Sequence, residues 1–288
     1  MPELPDVEVY VEALRARVVG QNLRGAAIRG PFLLRSVEPP LSALFDHTVT
    51  DVRRAGKRIA FGFDHGLWLA IHLMIAGRLH WNGKRAPLAK FDFDSGTLTL
   101  TEAGTQHRAQ IRVFDSPLET AGLEPLEASA RAFAEVLKSE NHTLKRTLTD
   151  PRLFSGIGNA YSDEILHRAR LSPIAMTLKL TEEETERLRI AVREILTEWT
   201  ERLRKEAKGG FPEGVTAFRK EMAAHGKYGQ LCPRCGTKIQ RIRYAANETN
   251  YCPTCQTGGR LLADRALSRL LHEDWPRTLE EMEALKQR

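Results

Sequence analysis

At 288 residues, with 42% hydrophobic and 28% charged residues, the chain has the make-up of an ordinary folded protein and the length for two domains. Its longest apolar runs, such as Leu67–Ile71, fall far short of the roughly 20 residues a bilayer span needs. No cationic segment followed by an apolar run opens the chain, so a cytoplasmic protein is expected and a membrane or secreted one is not.

Residues 3–19 read as a helix, with Val7, Val11, Leu14 and Val18 on one stripe and Gly20 beyond the end. From about 22 to 115 the pattern turns to short β-rich runs at Val49–Arg53, Arg58–Phe63, Leu67–Leu73, Lys90–Phe93 and Thr97–Thr101. Asp64-His65-Gly66 and Asp94-Ser95-Gly96 supply turns between them. The implied unit is a β-sandwich or barrel-like domain with one helix attached. Pro117, Gly122 and Pro125 mark a connection over 117–130, after which the pattern becomes helical. Thr181 to Glu184 is a capping box opening a long amphipathic helix to about Lys205, with Ile190, Val192, Ile195, Leu196, Trp199 and Leu203 as its buried side. A Gly-rich loop, Gly209–Gly214, precedes a further helical stretch, and residues 258–288 read as a helical appendage.

Lys and Arg number 43 against 37 Asp and Glu, a net charge of +6 spread along the chain. A folded basic surface with a polyanionic partner suits that balance better than a disordered arm. The chain has four cysteines, Cys232, Cys235, Cys252 and Cys255, arranged as two C-x-x-C pairs separated by sixteen residues. Each pair places two thiolates on a tight turn, and four thiolates satisfy one tetrahedral zinc ion with no open position for chemistry. The metal is therefore expected to be structural. The segment between the pairs is long enough for a hairpin, with Ile239–Tyr244 running out, a turn at Ala245–Glu248, and Thr249–Tyr251 returning.

The opening Met1-Pro2-Glu3-Leu4-Pro5-Asp6-Val7-Glu8 resembles the start of the formamidopyrimidine-DNA glycosylase / endonuclease VIII family. So, in order, do Arg54-Ala55-Gly56-Lys57-Arg58, His72 to Gly77, Gly156 to Leu166, His225-Gly226-Lys227, and the cysteine region through Gln256. The resemblance implies an α+β protein with an N-terminal β-sandwich domain flanked by helices. A C-terminal helical domain would follow, with a helix–two-turns–helix motif and a β-hairpin zinc finger. The expected limits are 1–116 for the catalytic domain, 117–130 for the linker and 131–225 for the helical domain. The finger would take 226–257 and the extension 258–288.

It also implies a bifunctional glycosylase and abasic-site lyase acting as a monomer on damaged, oxidised duplex DNA, held in a basic cleft between the domains. Removal of Met1 would free the secondary amine of Pro2 to attack the sugar C1′ and expel the base. Glu3 corresponds to the family's general acid. Lys57 corresponds to the lysine that contacts DNA near the lesion, and Asp6 stands where a glutamate is usual. Gly158 and Asn159 correspond to the phosphate-holding turn, and Ile75, with Met74 adjoining, stands where the family usually inserts a methionine in place of the flipped nucleotide.

Departures from the family pattern are equally specific. The finger's phosphate-clamping arginine is replaced by Asn247, with Arg243 and Arg241 as nearby substitutes. The wedge loop reads Gly104 to Ala109, where Arg108 is the candidate. These changes keep a second reading open, a lesion-binding protein with little turnover. A zinc-finger regulator would account for the cysteines but not for the proline-led start.

Overall fold

The first helix, α1 (Leu4–Val18), starts from a capping box in which Glu3 is the N-cap and Asp6 the third helical residue. The Glu3 amide donates to Asp6 Oδ2 at 2.9 Å. Val7, Tyr10, Val11, Leu14 and Val18 recur at helical spacing and enter one core. The computed structural model describes residues 1–30, 32–83, 86–104, 107–216, 219–244, 247–263 and 275–286, with backbone alone at 244, 247, 285 and 286.

Eight strands follow: β1 (Leu23–Ile28), β2 (Val49–Ala55), β3 (Arg58–Phe63), β4 (Trp68–His72), β5 (Gly77–Trp81), β6 (Ala89–Phe93), β7 (Gly96–Glu102) and β8 (Gln110–Phe114). They form two antiparallel four-stranded sheets, ordered β1-β6-β7-β5 and β2-β3-β4-β8. Inward residues of both, including Phe61, Ile71, Leu79, Phe91, Leu100 and Ile111, share the core with α1. This is the expected sandwich.

The helical part contains α2 (Ala130–Lys138), α3 (Leu144–Thr149), α4 (Asn159–Ala169) and α5 (Glu182–Ala207). The segment 150–158 makes the two turns between α3 and α4. The finger hairpin is β9 (Gln240–Tyr244) and β10 (Asn247–Tyr251), followed by α6 (Pro253–Thr257) and, in the tail, α7 (Leu279–Lys286). No helix among the described residues is long and apolar enough to cross a membrane.

The chain divides into two compact units, Met1–Gly122 with Thr197–Ala217, and Leu123–Leu196 with Phe218–Arg288. The first unit thus takes a piece expected within the helical domain of 131–225. Phe211 packs on Tyr10 and Trp81, with ring centroids 5.6 and 6.4 Å apart. Val215 enters the sandwich core, and Glu213 meets His80 at 2.6 Å. Long-range apolar contacts of this kind leave no mark in local sequence pattern.

Three further expectations are corrected. Ile190 is 43% exposed, and the buried stripe of α5 is Leu188, Ala191, Val192, Ile195, Leu196, Trp199 and Leu203, because position 190 falls on the opposite side of a 3.6-residue period. No helix lies between the Gly-rich loop and Cys232 among the described residues. Instead, a buried carboxylate takes the amides of residues 223–225, as described below. The finger turn is shorter than Ala245–Glu248, since Asn247 pairs with Tyr244 and Glu248 with Arg243. Residues 245 and 246 themselves lie outside the described residues, as does 264–274 of the tail.

Candidate active site and metal centre

Sheet register gathers three connections at one end of the sandwich. Arg58 pairs with His72 and His72 with Gln110, while Gly77 pairs with Glu102. The β2–β3 tip, the β4–β5 loop and the β7–β8 loop therefore leave the sheets side by side. The β2–β3 tip is a two-residue turn, Gly56-Lys57, with Gly56 at φ 65°, where a side chain would be strained. Arg54 locks this tip to α1: its guanidinium reaches Glu8 Oε2 at 3.1 Å and the Gly56 carbonyl at 3.1 Å.

The chain start lies against the same group of residues. Pro2, Glu3 and Asp6 are buried, with Glu3 2% and Asp6 0% exposed. Burial is the largest reason the Met1 amine titrates below its usual value. Glu3 and Asp6 pull it back up, and Arg78 and Lys57 push it down again. A lowered value means a larger neutral, nucleophilic fraction at neutral pH. Arg78, which sequence reading missed, is held by its own loop, donating to the carbonyls of Gly77 at 2.7 Å and Ile75 at 3.3 Å.

In the β4–β5 loop Ile75 is 56% exposed, and Met74 adopts a left-handed φ of 52°. The Met74 amide donates to His72 Nδ1 at 3.0 Å, so His72 carries its proton on Nε2. Burial first, then Arg58 and Lys57, hold His72 down at about 4. The Gly77 amide closes the loop on the Leu73 carbonyl at 2.9 Å, and a Cβ on Gly77 would lie 2.3 Å from that oxygen. In the β7–β8 loop Glu102 accepts from the amides of Arg108 and Ala109 at 2.9 and 3.0 Å, leaving the Arg108 side chain exposed. Residues 105 and 106 of that loop lie outside the described residues.

In the second unit, Gly158 is the N-cap of α4 and Asn159 its first residue. A chain of bonds starts and ends at Asn159. Its Nδ2 donates to the Glu248 carbonyl at 2.9 Å, and Glu248 Oε1 accepts from Asn250 Nδ2 at 2.8 Å. Asn250 Oδ1 accepts from the Gly226 amide at 2.7 Å. His225 Nδ1 meets Asp163 Oδ2 at 2.8 Å, Asp163 Oδ1 meets Lys145 Nζ at 2.5 Å, and Lys145 donates to the Asn159 carbonyl at 2.6 Å. Beside this ring, the buried Glu164 carboxylate accepts from the amides of Ala223, Ala224 and His225 at 2.8, 2.8 and 2.9 Å. Burial raises its carboxyl above the usual range, against the pull of those three amides.

The finger's arginines are engaged by Glu248, whose Oε2 lies 3.0 Å from Arg241 and 3.7 Å from Arg243. Arg241 also lies over the Tyr228 ring at 4.1 Å. The side chain of Asn247 lies outside the described residues.

The four cysteine sulfurs lie within 4.8 Å of one another, with Cys232–Cys255 at 4.0 Å and Cys235–Cys252 at 3.4 Å. A tetrahedron with zinc–sulfur bonds of about 2.3 Å has edges of about 3.8 Å, so these residues fit zinc. His167, which sequence reading missed, puts Nε2 3.2 Å from Cys232 Sγ, and burial, aided by Arg234 and Arg168, holds it neutral with a value of about 4. A neutral imidazole N–H suits a metal-bound thiolate. Gln256 accepts from the Cys252 amide at 2.8 Å and donates to the Leu171 carbonyl at 2.9 Å, fixing the second cysteine turn.

Residues 1–115 match the formamidopyrimidine-DNA glycosylase N-terminal domain, 121–207 the formamidopyrimidine-DNA glycosylase H2TH domain, and 229–258 the zinc finger found in FPG and IleRS. The formamidopyrimidine-DNA glycosylase of Thermus thermophilus is 35% identical over 272 residues, covering 90% of this chain and 100% of that one. That of an Exiguobacterium species is 30% identical over 290 residues, covering 89% and 99%. The crystal structure of the MutM (FPG) protein from Thermus thermophilus superposes with a TM-score of 0.77 at 33% identity, covering 88% of this chain and 98% of that one. The Lactococcus lactis FPG in complex with a FAPY-dG-containing DNA gives 0.75 at 26% identity, covering 88% and 100%. The four cysteines thus form the structural zinc centre of a known finger type.

Proposed function

The chain belongs to the formamidopyrimidine-DNA glycosylase family, and from that premise we propose how its own residues excise damaged bases from DNA. The activity is that of a base-excision-repair glycosylase. Once Met1 is removed, Pro2, itself buried, presents a secondary amine beside the place where burial, Arg78 and Lys57 act on the Met1 amine. Its lone pair attacks the sugar C1′ and the damaged base departs with the bonding electrons. Glu3 gives a proton to the ring oxygen as the sugar opens, and the iminium that remains is covalently attached to DNA. Loss of a C2′ proton then expels the 3′ phosphate, and a second elimination releases the 5′ phosphate. Asp6 accepts from the Glu3 amide and so holds the Glu3 backbone.

Substrate contacts follow the same frame. Ile75 and Met74 fill the space of the everted nucleotide, with Arg108 beside them. Gly158 and Asn159 at the start of α4 meet a phosphate, and Arg243 reaches the backbone from the finger. We take the substrate to be duplex DNA carrying an oxidised base, and the working form to be a monomer. The surroundings of the terminal amine carry this reading more than any other observation.

The test is borohydride trapping on an abasic-site duplex with processed, zinc-loaded protein, followed by peptide mapping of the adduct. Attachment at Pro2, lost in a form that retains Met1, is expected. Tight binding with no adduct would replace this mechanism by the binding-only reading that Asn247 first suggested.

A further inference from the structure

A second cluster of donor atoms sits at the opposite end of the sandwich, seven strand residues and about 20 Å from the Lys57 turn along β2. His47 precedes β2, and Asp64 and His65 open the β3–β4 turn. His47 Nδ1 lies 2.8 Å from Asp64 Oδ1, and His65 Nδ1 lies 3.3 Å from the same oxygen. The two imidazoles stack, with centroids 3.6 Å apart and planes 21° from parallel, and His65 also meets the edge of Phe63. Both Nδ1 atoms are thereby turned toward one carboxylate oxygen. The other oxygen, Asp64 Oδ2, accepts from the Thr48 amide at 3.2 Å, which orients the carboxylate. The donor atoms all lie within 4.8 Å of one another.

From this geometry we propose that His47, Asp64 and His65 form a second metal site, separate from the finger, which takes a divalent transition ion such as Zn2+. The His65 separation of 3.3 Å matches the edge of a tetrahedron with bonds of about 2.0–2.1 Å, roughly 3.3 Å, and the 2.8 Å His47 contact opens by about 0.5 Å when the ion replaces its hydrogen bond. Two imidazoles and one carboxylate favour zinc, nickel or copper(II) over calcium and magnesium, which require more oxygen ligands. A backbone amide on the ligating carboxylate is the outer support that working metal sites carry. The three side chains are partly exposed, so the ion enters from solvent and keeps water in its remaining position. Bound there, it fastens the segment before β2 to the β3–β4 turn, and so closes the end of the β2–β3 hairpin opposite Lys57.

The test uses full-length protein with its finger loaded. Equilibrium dialysis against Zn2+ at tens of micromolar, with metal counted by mass spectrometry, is expected to give two equivalents in the unaltered chain. The double variant His47→Gln/His65→Gln should hold one, and Asp64→Asn should bind the second at least about tenfold more weakly. A chain that stops at one equivalent overturns the proposal, as does a double variant that still takes up two. Histidine ring NMR needs no variant. Two of the nine histidines should shift or broaden on adding the second equivalent, assigned to His47 and His65, and signals of these two that stay fixed would sink the site.

Discussion

Replacing Glu164 with glutamine isolates the brace that shapes the segment 223–225. The carboxylate is 4% exposed and takes three amide donors on two oxygens, two of them on Oε1. In Glu164→Gln the best orientation keeps a carbonyl oxygen facing Ala224 and His225. The new NH2 then confronts the Ala223 amide, donor against donor. One hydrogen bond to a charged group is lost, about 1.5–3 kcal/mol, and a buried amide is left without an acceptor, so a total on the order of 2–4 kcal/mol is expected. For a cooperative unit of this size, each kcal/mol lowers Tm by about 2–4 °C, which predicts a fall of roughly 5–15 °C. Calorimetry on zinc-loaded protein reads this directly, and hydrogen exchange at residues 223–225 locates it. Glu164→Ala should fall further, because all three amides lose their acceptor. A Tm within about 1 °C of the unaltered protein, with those amides still protected, would refute the assignment.

Three other outcomes are expected. Gly77→Ala forces a methyl against the Leu73 carbonyl at 2.3 Å, so it should destabilise by about 1–3 kcal/mol in urea unfolding and slow single-turnover excision; unchanged values on both counts would contradict the close approach. His72 titrates near 4 when folded against about 6.5 unfolded, so the unfolded chain takes up the proton first. Its contribution is present above pH 6.5 and is lost as pH falls toward 4, by up to about 3 kcal/mol; His72→Gln should flatten that slope, and parallel pH profiles would count against it. Glu248→Gln removes the charge shared with Arg241 and Arg243 while keeping the acceptor for Asn250, so DNA should bind about 3–10-fold more tightly at low salt, with the gain fading as salt rises; weaker binding would place those arginines away from the phosphates.

What could be read in advance tracked how local the cause was. The extent of α1, to within one residue at each end, the β3 limits and the cysteine pairs rest on residues close together in the chain, and all three emerged where the pattern put them. β1, β5 and β8 escaped because their runs are short and mixed, and their pairing partners lie far along the chain: Ala26 with Phe91, Leu79 with Leu100, Ile111 with Ile71. Phe211 and Val215 joined the sandwich core for the same long-range reason. At the candidate site, the motif positions Glu3 and Lys57 were identifiable through resemblance, and their surroundings were not. Arg78, Arg54, Glu164 and His167 act by filling burial and hydrogen-bonding needs that exist only after folding. A buried acid such as Glu164, next to another at Asp163, was the available hint, since neither is stable in a core without donors.

The ring running from Asn159 through Glu248, Asn250, Gly226, His225, Asp163 and Lys145 back to Asn159 has an evolutionary corollary. Because every member answers to two neighbours, substitutions within it are epistatic. Replacing Glu248 with a residue that lacks a carboxylate would remove the group that anchors Asn250 and leave its amide without that acceptor. A lineage carrying Glu248 is thus held to it by its partners. Exchange becomes neutral only when Asn250 changes as well, and divergence at this finger should proceed in linked steps.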